Sequence, residues 1–177
     1  IIEVQNITKY FGDLTALDDL SVKVREGEIY GLLGSNGAGK STTINILLGF
    51  LQAEMGKATI NGIDAVTNSN QSKKYIGYIP ENVSLYGYLS GVENLDYFCK
   101  LAGKSHTEDQ LRELLKESGL DDEAHNKRIK TYSKGMRQKV GIAIALAKKA
   151  KVYLLDEPAS GLDPLASNEL SSSLKNI

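Results

Sequence analysis

The chain has little cysteine: Cys99 is alone among 177 residues, which excludes a disulfide framework and a cysteine-rich metal site. Its three prolines are scattered, so no proline-rich linker divides it. No apolar run reaches the roughly 18 residues that a membrane-spanning helix needs. The opening Ile1-Ile2-Glu3-Val4 lacks the basic and apolar regions of a signal peptide. A strong charge of one sign is missing as well. Twenty-one basic against 22 acidic residues leave a formal net charge of −1, which gives no electrostatic argument for nucleic acid or an anionic membrane. No internal repeat or low-complexity tract is visible. These absences predict a soluble cytoplasmic protein. The neighbours of Cys99, namely Tyr97, Phe98 and Leu101, predict a buried helical thiol rather than a nucleophile.

What is present is ordinary for a globular domain: 41% apolar and 24% charged residues, in a length that supports one modest domain with a real core. Strand signals dominate the first third. Ile2-Glu3-Val4-Gln5, Leu20-Ser21-Val22-Lys23-Val24 and Ala58-Thr59-Ile60 alternate or run in β-branched residues, with tight turns at Glu26-Gly27 and Asn61-Gly62. The middle reads as helical. Ser90-Gly91-Val92-Glu93 and Thr107-Glu108-Asp109-Gln110 are capping boxes, each opening an amphipathic run, and Gly119 stops the second. A third helix is predicted after Ser133, through Val140, Ile144 and Ala147.

The most informative stretch is Gly34-Ser35-Asn36-Gly37-Ala38-Gly39-Lys40-Ser41-Thr42, which has the spacing of a phosphate-binding loop. The apolar run Ile29-Tyr30-Gly31-Leu32-Leu33 before it reads as a buried strand, and a helical pattern runs from Lys40 to about Leu51. Backbone N–H groups curl around phosphate oxygens only where side chains do not block them, hence the small Gly37, Ala38 and Gly39. The helix opening at Lys40 aims its positive dipole end at the same anion. Lys40 adds a full charge on the outer phosphates, and Ser41 a hydroxyl for magnesium. The plain alternative is a glycine-rich turn.

A second acidic feature follows the apolar run Val152-Tyr153-Leu154-Leu155, which ends in Asp156-Glu157. Carboxylates at the tip of a buried strand emerge in a cleft, preferably facing a metal. Asp156 would hold magnesium through its water shell, and Glu157 would orient or deprotonate an attacking water. A merely polar strand terminus is the alternative.

With these residues in view, the chain resembles the nucleotide-binding subunits of ABC (ATP-binding cassette) ATPases, over nearly its whole length. Tyr132-Ser133-Lys134-Gly135-Met136-Arg137-Gln138 is similar to the family's signature loop, and Ser160-Gly161-Leu162-Asp163 to its D-loop. Phe11 sits where the family places an aromatic that stacks on adenine. The resemblance implies an α/β P-loop NTPase: a RecA-like core with a mostly parallel sheet, an N-terminal antiparallel β subdomain and an inserted α-helical subdomain. The domain would span 1–177 and be incomplete at its C-terminus, with 1–81 and 131–177 as core plus β subdomain and 82–130 as helical subdomain. ATP and Mg2+ are the implied cofactors. ATP would contact Phe11, Ser35, Asn36, Gly37, Ala38, Gly39, Lys40, Ser41 and Thr42, and Ser133, Gly135 and Met136 would reach the γ-phosphate held by a second subunit. Ser41, Asp156 and Glu81 would serve the metal, and Glu157 and Lys40 the chemistry. As a bare sequence, Ser133 is simply a helix N-cap.

The implied partners are a transmembrane permease subunit and a head-to-tail homodimer or heterodimer of ATPase subunits, with no nucleic acid, at the cytoplasmic face of the membrane. Within the family the chain looks most like bacterial and archaeal drug, antibiotic or sodium exporter ATPases. Leu85, Tyr86, Tyr88 and Leu89, in the segment from Val83 to Tyr97, are candidate permease contacts, with packing inside the insert as the alternative. Three departures stand out. Glu81 replaces the usual glutamine, adding charge and removing a donor, and it either contacts magnesium or only caps the insert. Lys134 and Met136 replace signature residues, which predicts weaker closure of the dimer. The family's switch histidine has no counterpart, since His106 and His125 both fall in the helical insert, so the natural protein is expected to continue past Ile177. Competing readings are a non-transport ABC ATPase, a P-loop kinase and a catalytically weak binding module.

Overall fold

The computed structural model describes residues 1–174. The chain divides into two compact units, Ile1–Ile76 and Gly77–Ile177.

In the first unit, β1 (Ile2–Phe11) and β2 (Leu14–Val24) form one long antiparallel hairpin, from Phe11 opposite Leu14 back to Ile2 opposite Val24, with register shifts between Val4 and Tyr10. β3 (Met55–Ile60) pairs with the other edge of β1, and β4 (Ile63–Asp64) completes a sheet of order β2-β1-β3-β4. The β3–β4 turn is the predicted Asn61-Gly62, both residues left-handed at φ 52° and 76°, as the two-residue hairpin turn requires. Ile2, Val4, Ile7, Leu17, Val24, Ala58 and Ile60 are buried. Onto these strands packs α1 (Lys40–Leu47), which buries Thr43, Ile44, Ile46 and Leu47. The helix stops short of the expected Leu51, where left-handed Gly49 (φ 66°) ends the turn. A four-residue helix, α2 (Ser69–Ser72), follows β4.

The run 29–33 is not a strand: it joins neither sheet, and Ile29 and Leu33 are 96% and 95% exposed. Apolar composition marks a residue run as suited to a sheet interior, but a strand exists only where neighbours complete its backbone hydrogen bonds, and among the described residues none flanks it. Leu33→Ser in this chain is therefore expected to change unfolding free energy by less than about 0.5 kcal/mol, as for a surface position. Denaturant titration checks this, and a loss of several kcal/mol would mean that the run is buried after all.

The second unit takes β5 (Ile76–Ile79) from Gly77 onward; β5 and β6 (Val152–Leu155) make a two-stranded sheet, and the α-helices among the described residues here are α3 (Gly91–Leu101), α4 (Glu108–Glu117), α5 (Lys134–Ala147) and α6 (Pro164–Leu174). Both predicted capping boxes form. Ser90 Oγ accepts the Glu93 N–H while the Glu93 carboxylate accepts the Ser90 N–H, and Thr107 and Gln110 repeat the exchange. Val92, Leu95 and Cys99 of α3 pack with Leu111 and Leu115 of α4 and with Val140, Ala143 and Ala147 of α5. Leu95 and Leu115 are fully buried, each stabilising the bundle by about 1.5–3 kcal/mol. The other face of α5 carries Ile142 and Ala145 onto Ile79 and Leu170. Thus α5 belongs to two cores at once. Tyr132, two residues before it, is buried and its hydroxyl donates to Ala124 O at 2.5 Å. Cys99 is the buried thiol expected, its pKa pushed up to about 11, first by burial and then by the nearby Asp96.

Candidate functional site

The phosphate-loop residues belong to the first unit. Residues 34–38 are exposed, so their backbone is open to a ligand. Gly37 (φ 86°) and Gly39 (φ 82°) adopt the left-handed conformation that turns successive amides the same way. The loop is closed tightly at its ends. A Cβ on Gly34 would lie 2.7 Å from Ala38 Cβ, and one on Gly39 would lie 2.5 Å from Leu17 Cδ2 and 2.6 Å from Ala16 O. Gly39 is the N-cap of α1, and its carbonyl accepts both the Thr43 N–H and the Thr43 hydroxyl, each at 2.9 Å. Lys40 bends back over the loop and donates to Gly34 O at 2.9 Å and Ser35 O at 3.0 Å. The ammonium thus stands beside the exposed amides, where two carbonyls hold it. Ser41 and Thr42 lie in the first turn of α1, Ser41 exposed and Thr42 half-buried.

Phe11 ends β1 and is 47% exposed. Lys9 Nζ lies 5.3 Å from its ring centroid and 2.8 Å from Glu54 Oε1, while Glu54 Oε2 accepts the Tyr10 N–H. The Lys9 ammonium and the Tyr10 amide hold the Glu54 carboxyl below its ordinary range. The ring is thus presented, partly exposed, from a braced strand end.

The remaining candidates lie in the second unit. Asp156 and Glu157 follow directly on β6, and the Asp156 N–H donates to Ile79 O at 3.0 Å. Glu157 is exposed and left-handed (φ 44°), an uncommon conformation for a residue with a side chain. Its carbonyl accepts the Ser160 N–H at 2.9 Å. Ser160 Oγ in turn donates to Glu81 Oε1 at 2.8 Å, and the neighbouring Pro80 O accepts from Gln138 Nε2 at 2.9 Å. Burial, and then the Asp156 carboxylate, push the Tyr78 phenol up. Ser133 is the N-cap of α5, with its hydroxyl oxygen accepting the Met136 N–H at 3.2 Å. Gly135 faces Ala166 and Leu162, and Lys134 Nζ would lie 3.2 Å from a Cβ on Gly161. The signature-like loop and the D-loop-like segment are therefore neighbours. The Met136 side chain packs against the helical core, while Ser133 at the N-cap of α5 is exposed.

Glu81 and Ser160 are 79 residues apart and Gln138 and Pro80 are 58 apart. Neither pairing had a signal in the sequence, because no local pattern encodes such a meeting.

The glycine-turned loop opening a helix and the strand ending in two acids define a P-loop nucleotide-binding protein. Residues 17–160 match the ABC transporter family, and the chain belongs to that family, on the side of its ATP-binding subunits. It is 42% identical, over all of its 177 residues, to an uncharacterized ABC transporter ATP-binding protein of Bacillus subtilis (strain 168), covering 57% of that protein. It is 38% identical over 170 residues to the bacitracin transport ATP-binding protein of Bacillus licheniformis, covering 96% of this chain and 55% of that one. The chain thus spans a little over half the length of these curated relatives. Among solved structures, it resembles an ATP-binding subunit of an ABC transporter with a TM-score of 0.84 and 34% identity, over 99% of this chain and 74% of that one. A dimeric ATP-binding cassette in a post-hydrolysis state bound to ADP and Pi also matches with a TM-score of 0.84, at 26% identity, covering 99% of this chain and 82% of the other. Among the described residues, no helix is long and apolar enough to cross a membrane.

Proposed function

We propose that this chain binds ATP with magnesium and hydrolyses it to drive transport through a partner transmembrane permease. The observation that carries the reading is the open loop of residues 34–38 at the N-terminus of α1, with the Lys40 ammonium bent over it. A triphosphate would take the loop amides and part of the Lys40 donation now given to Gly34 and Ser35. Phe11 would stack on the adenine, and Ser41, Thr42 and the other loop residues would line the phosphates. The oxygen donors of Ser41 and Asp156 suit magnesium, which when bound would neutralise phosphate charge. Glu157 would orient the attacking water and accept its proton.

A dimeric cassette among the structural relatives supports pairing of two ATPase subunits. In a head-to-tail pair, the α5 N-terminus at Ser133 and Gly135 would meet the γ-phosphate on the other copy. Its dipole and the Ser133 hydroxyl proton suit an anion. The permease would dock at the cytoplasmic membrane face. Of the four candidate contacts, Leu85 packs into the helical core, while Tyr86 and Tyr88 are 39% and 68% exposed. Tyr86 meets Tyr97 edge-on at 4.9 Å between centroids, forming an aromatic patch suited to an amphipathic segment.

The test is equilibrium binding of ATP to the purified chain beside Lys40→Ala. Losing charge-assisted hydrogen bonds worth about 1.5–3 kcal/mol should weaken affinity roughly 10- to 100-fold. Equal affinity of the two proteins would remove Lys40 from the site, and absence of ATP binding by the unaltered chain would overturn the reading.

A further inference from the structure

We propose that Glu81 is a positioning residue for Glu157, acting through Ser160. The inference rests on the reading of Glu157 as the water-activating carboxylate. Its starting point is the backbone. A left-handed φ on a residue with a side chain costs on the order of 1–3 kcal/mol and persists only where the surroundings over-determine it. Glu157 has φ 44°, and two successive ties fix its turn from either end. Upstream, the Asp156 N–H is bonded to Ile79 O at 3.0 Å, which anchors the strand end. Downstream, the Glu157 carbonyl accepts the Ser160 N–H at 2.9 Å.

Ser160 would be a weak anchor if its own side chain pointed to solvent, but its hydroxyl donates to Glu81 Oε1 at 2.8 Å, and both residues are half-buried. Glu81 follows Pro80, whose carbonyl accepts Gln138 Nε2 at 2.9 Å, and Gln138 is only 1% exposed. The tie therefore runs from a buried amide on α5, through residues 80 and 81, to Ser160 and the Glu157 turn. All of it lies within the second unit. A hydroxyl donating to a carboxylate makes one of the stronger hydrogen bonds available to neutral donors. Glutamine at position 81 would still present a carbonyl oxygen to the serine, so the tie needs an acceptor and not a charge.

Two measurements on the full chain test this with Glu81→Gln, Glu81→Ala and Ser160→Ala. The first is hydrogen exchange at the Ser160 amide without nucleotide, which needs no assumption about activity. Glu81→Ala and Ser160→Ala should each speed exchange about tenfold, and Glu81→Gln should stay within about twofold of the unaltered chain. The second is ATP turnover. The two alanine variants should lower kcat by similar factors with KM for ATP and the magnesium requirement unchanged, and Glu81→Gln should restore kcat. Unchanged exchange in Glu81→Ala overturns the proposal. So does a shifted magnesium requirement in both Glu81 variants with Ser160→Ala unaffected, which is the pattern of a metal ligand. If the unaltered chain hydrolyses no ATP, the catalytic reading of Glu157 fails, while the exchange data still decide whether Glu81 holds the turn.

Discussion

Glu157→Gln is expected to reduce ATP turnover about 10²- to 10⁴-fold while leaving ATP affinity within a few-fold of its starting value. The magnitude is that of removing a positioned general base. The substitution keeps the side chain's size and its backbone demands, so the left-handed turn at φ 44° and the Ser160 N–H bond to its carbonyl are retained. What disappears is the proton-accepting oxygen, because an amide carbonyl takes no proton near neutral pH. Binding should persist, since the loop amides and Lys40 proposed to contact phosphate belong to another segment of the chain. Steady-state phosphate release and equilibrium nucleotide binding, measured on the same preparations, separate the two effects. Retained turnover would mean that another group prepares the water. Loss of turnover together with loss of binding would mean that the variant damages the fold, and circular dichroism would show it.

The same turn illustrates what a sequence discloses and what it withholds. The capping boxes at Ser90/Glu93 and Thr107/Gln110 were legible because both partners sit three residues apart and the physics is complete within one helical turn. Asn61-Gly62 was legible for the same reason, since the turn itself demands two left-handed residues. The long hairpin was only half visible. Ile2–Gln5 and Leu20–Val24 alternate cleanly, but the stretch between slips register near Ile7 and Lys9. Asn6 and Asp19 are both left-handed there, and Asn6 Nδ2 donates to Asp19 Oδ1 at 2.8 Å. Such irregularities break the period-two pattern that marks a strand. The run 29–33 failed in the opposite direction: its composition is right, but strand pairing is a property of neighbours and not of residues. At the candidate site, the glycine turn that opens α1 was legible because its backbone demands are local. The bond from Ser160 to Glu81 was not, because it joins positions far apart in the chain.

The largest structural effect at the loop should come from Gly39→Ala, with Gly37→Ala as its control. Both glycines are left-handed, at φ 82° and 86°, so alanine at either pays about 1–2 kcal/mol in backbone strain. The difference lies in what surrounds them. A Cβ at Gly37 meets nothing within 4 Å, whereas one at Gly39 would stand 2.6 Å from Ala16 O and 2.5 Å from Leu17 Cδ2. Leu17 is 7% exposed and part of the sheet's core, and Ala16 O is main chain of β2, so neither yields without moving the strand or the helix start. Overpacking of that kind costs a further 1–3 kcal/mol or so. Gly39→Ala should therefore lose about 2–5 kcal/mol of stability and Gly37→Ala about 1–2. Equilibrium denaturation followed by a probe in the first unit compares the two. Because Gly39 also caps α1, displacing it moves Lys40 and the exposed amides together, and ATP affinity should fall with stability in that variant. Equal losses in both variants would mean that backbone conformation alone sets the cost, and that the contact with β2 does not fix the helix start.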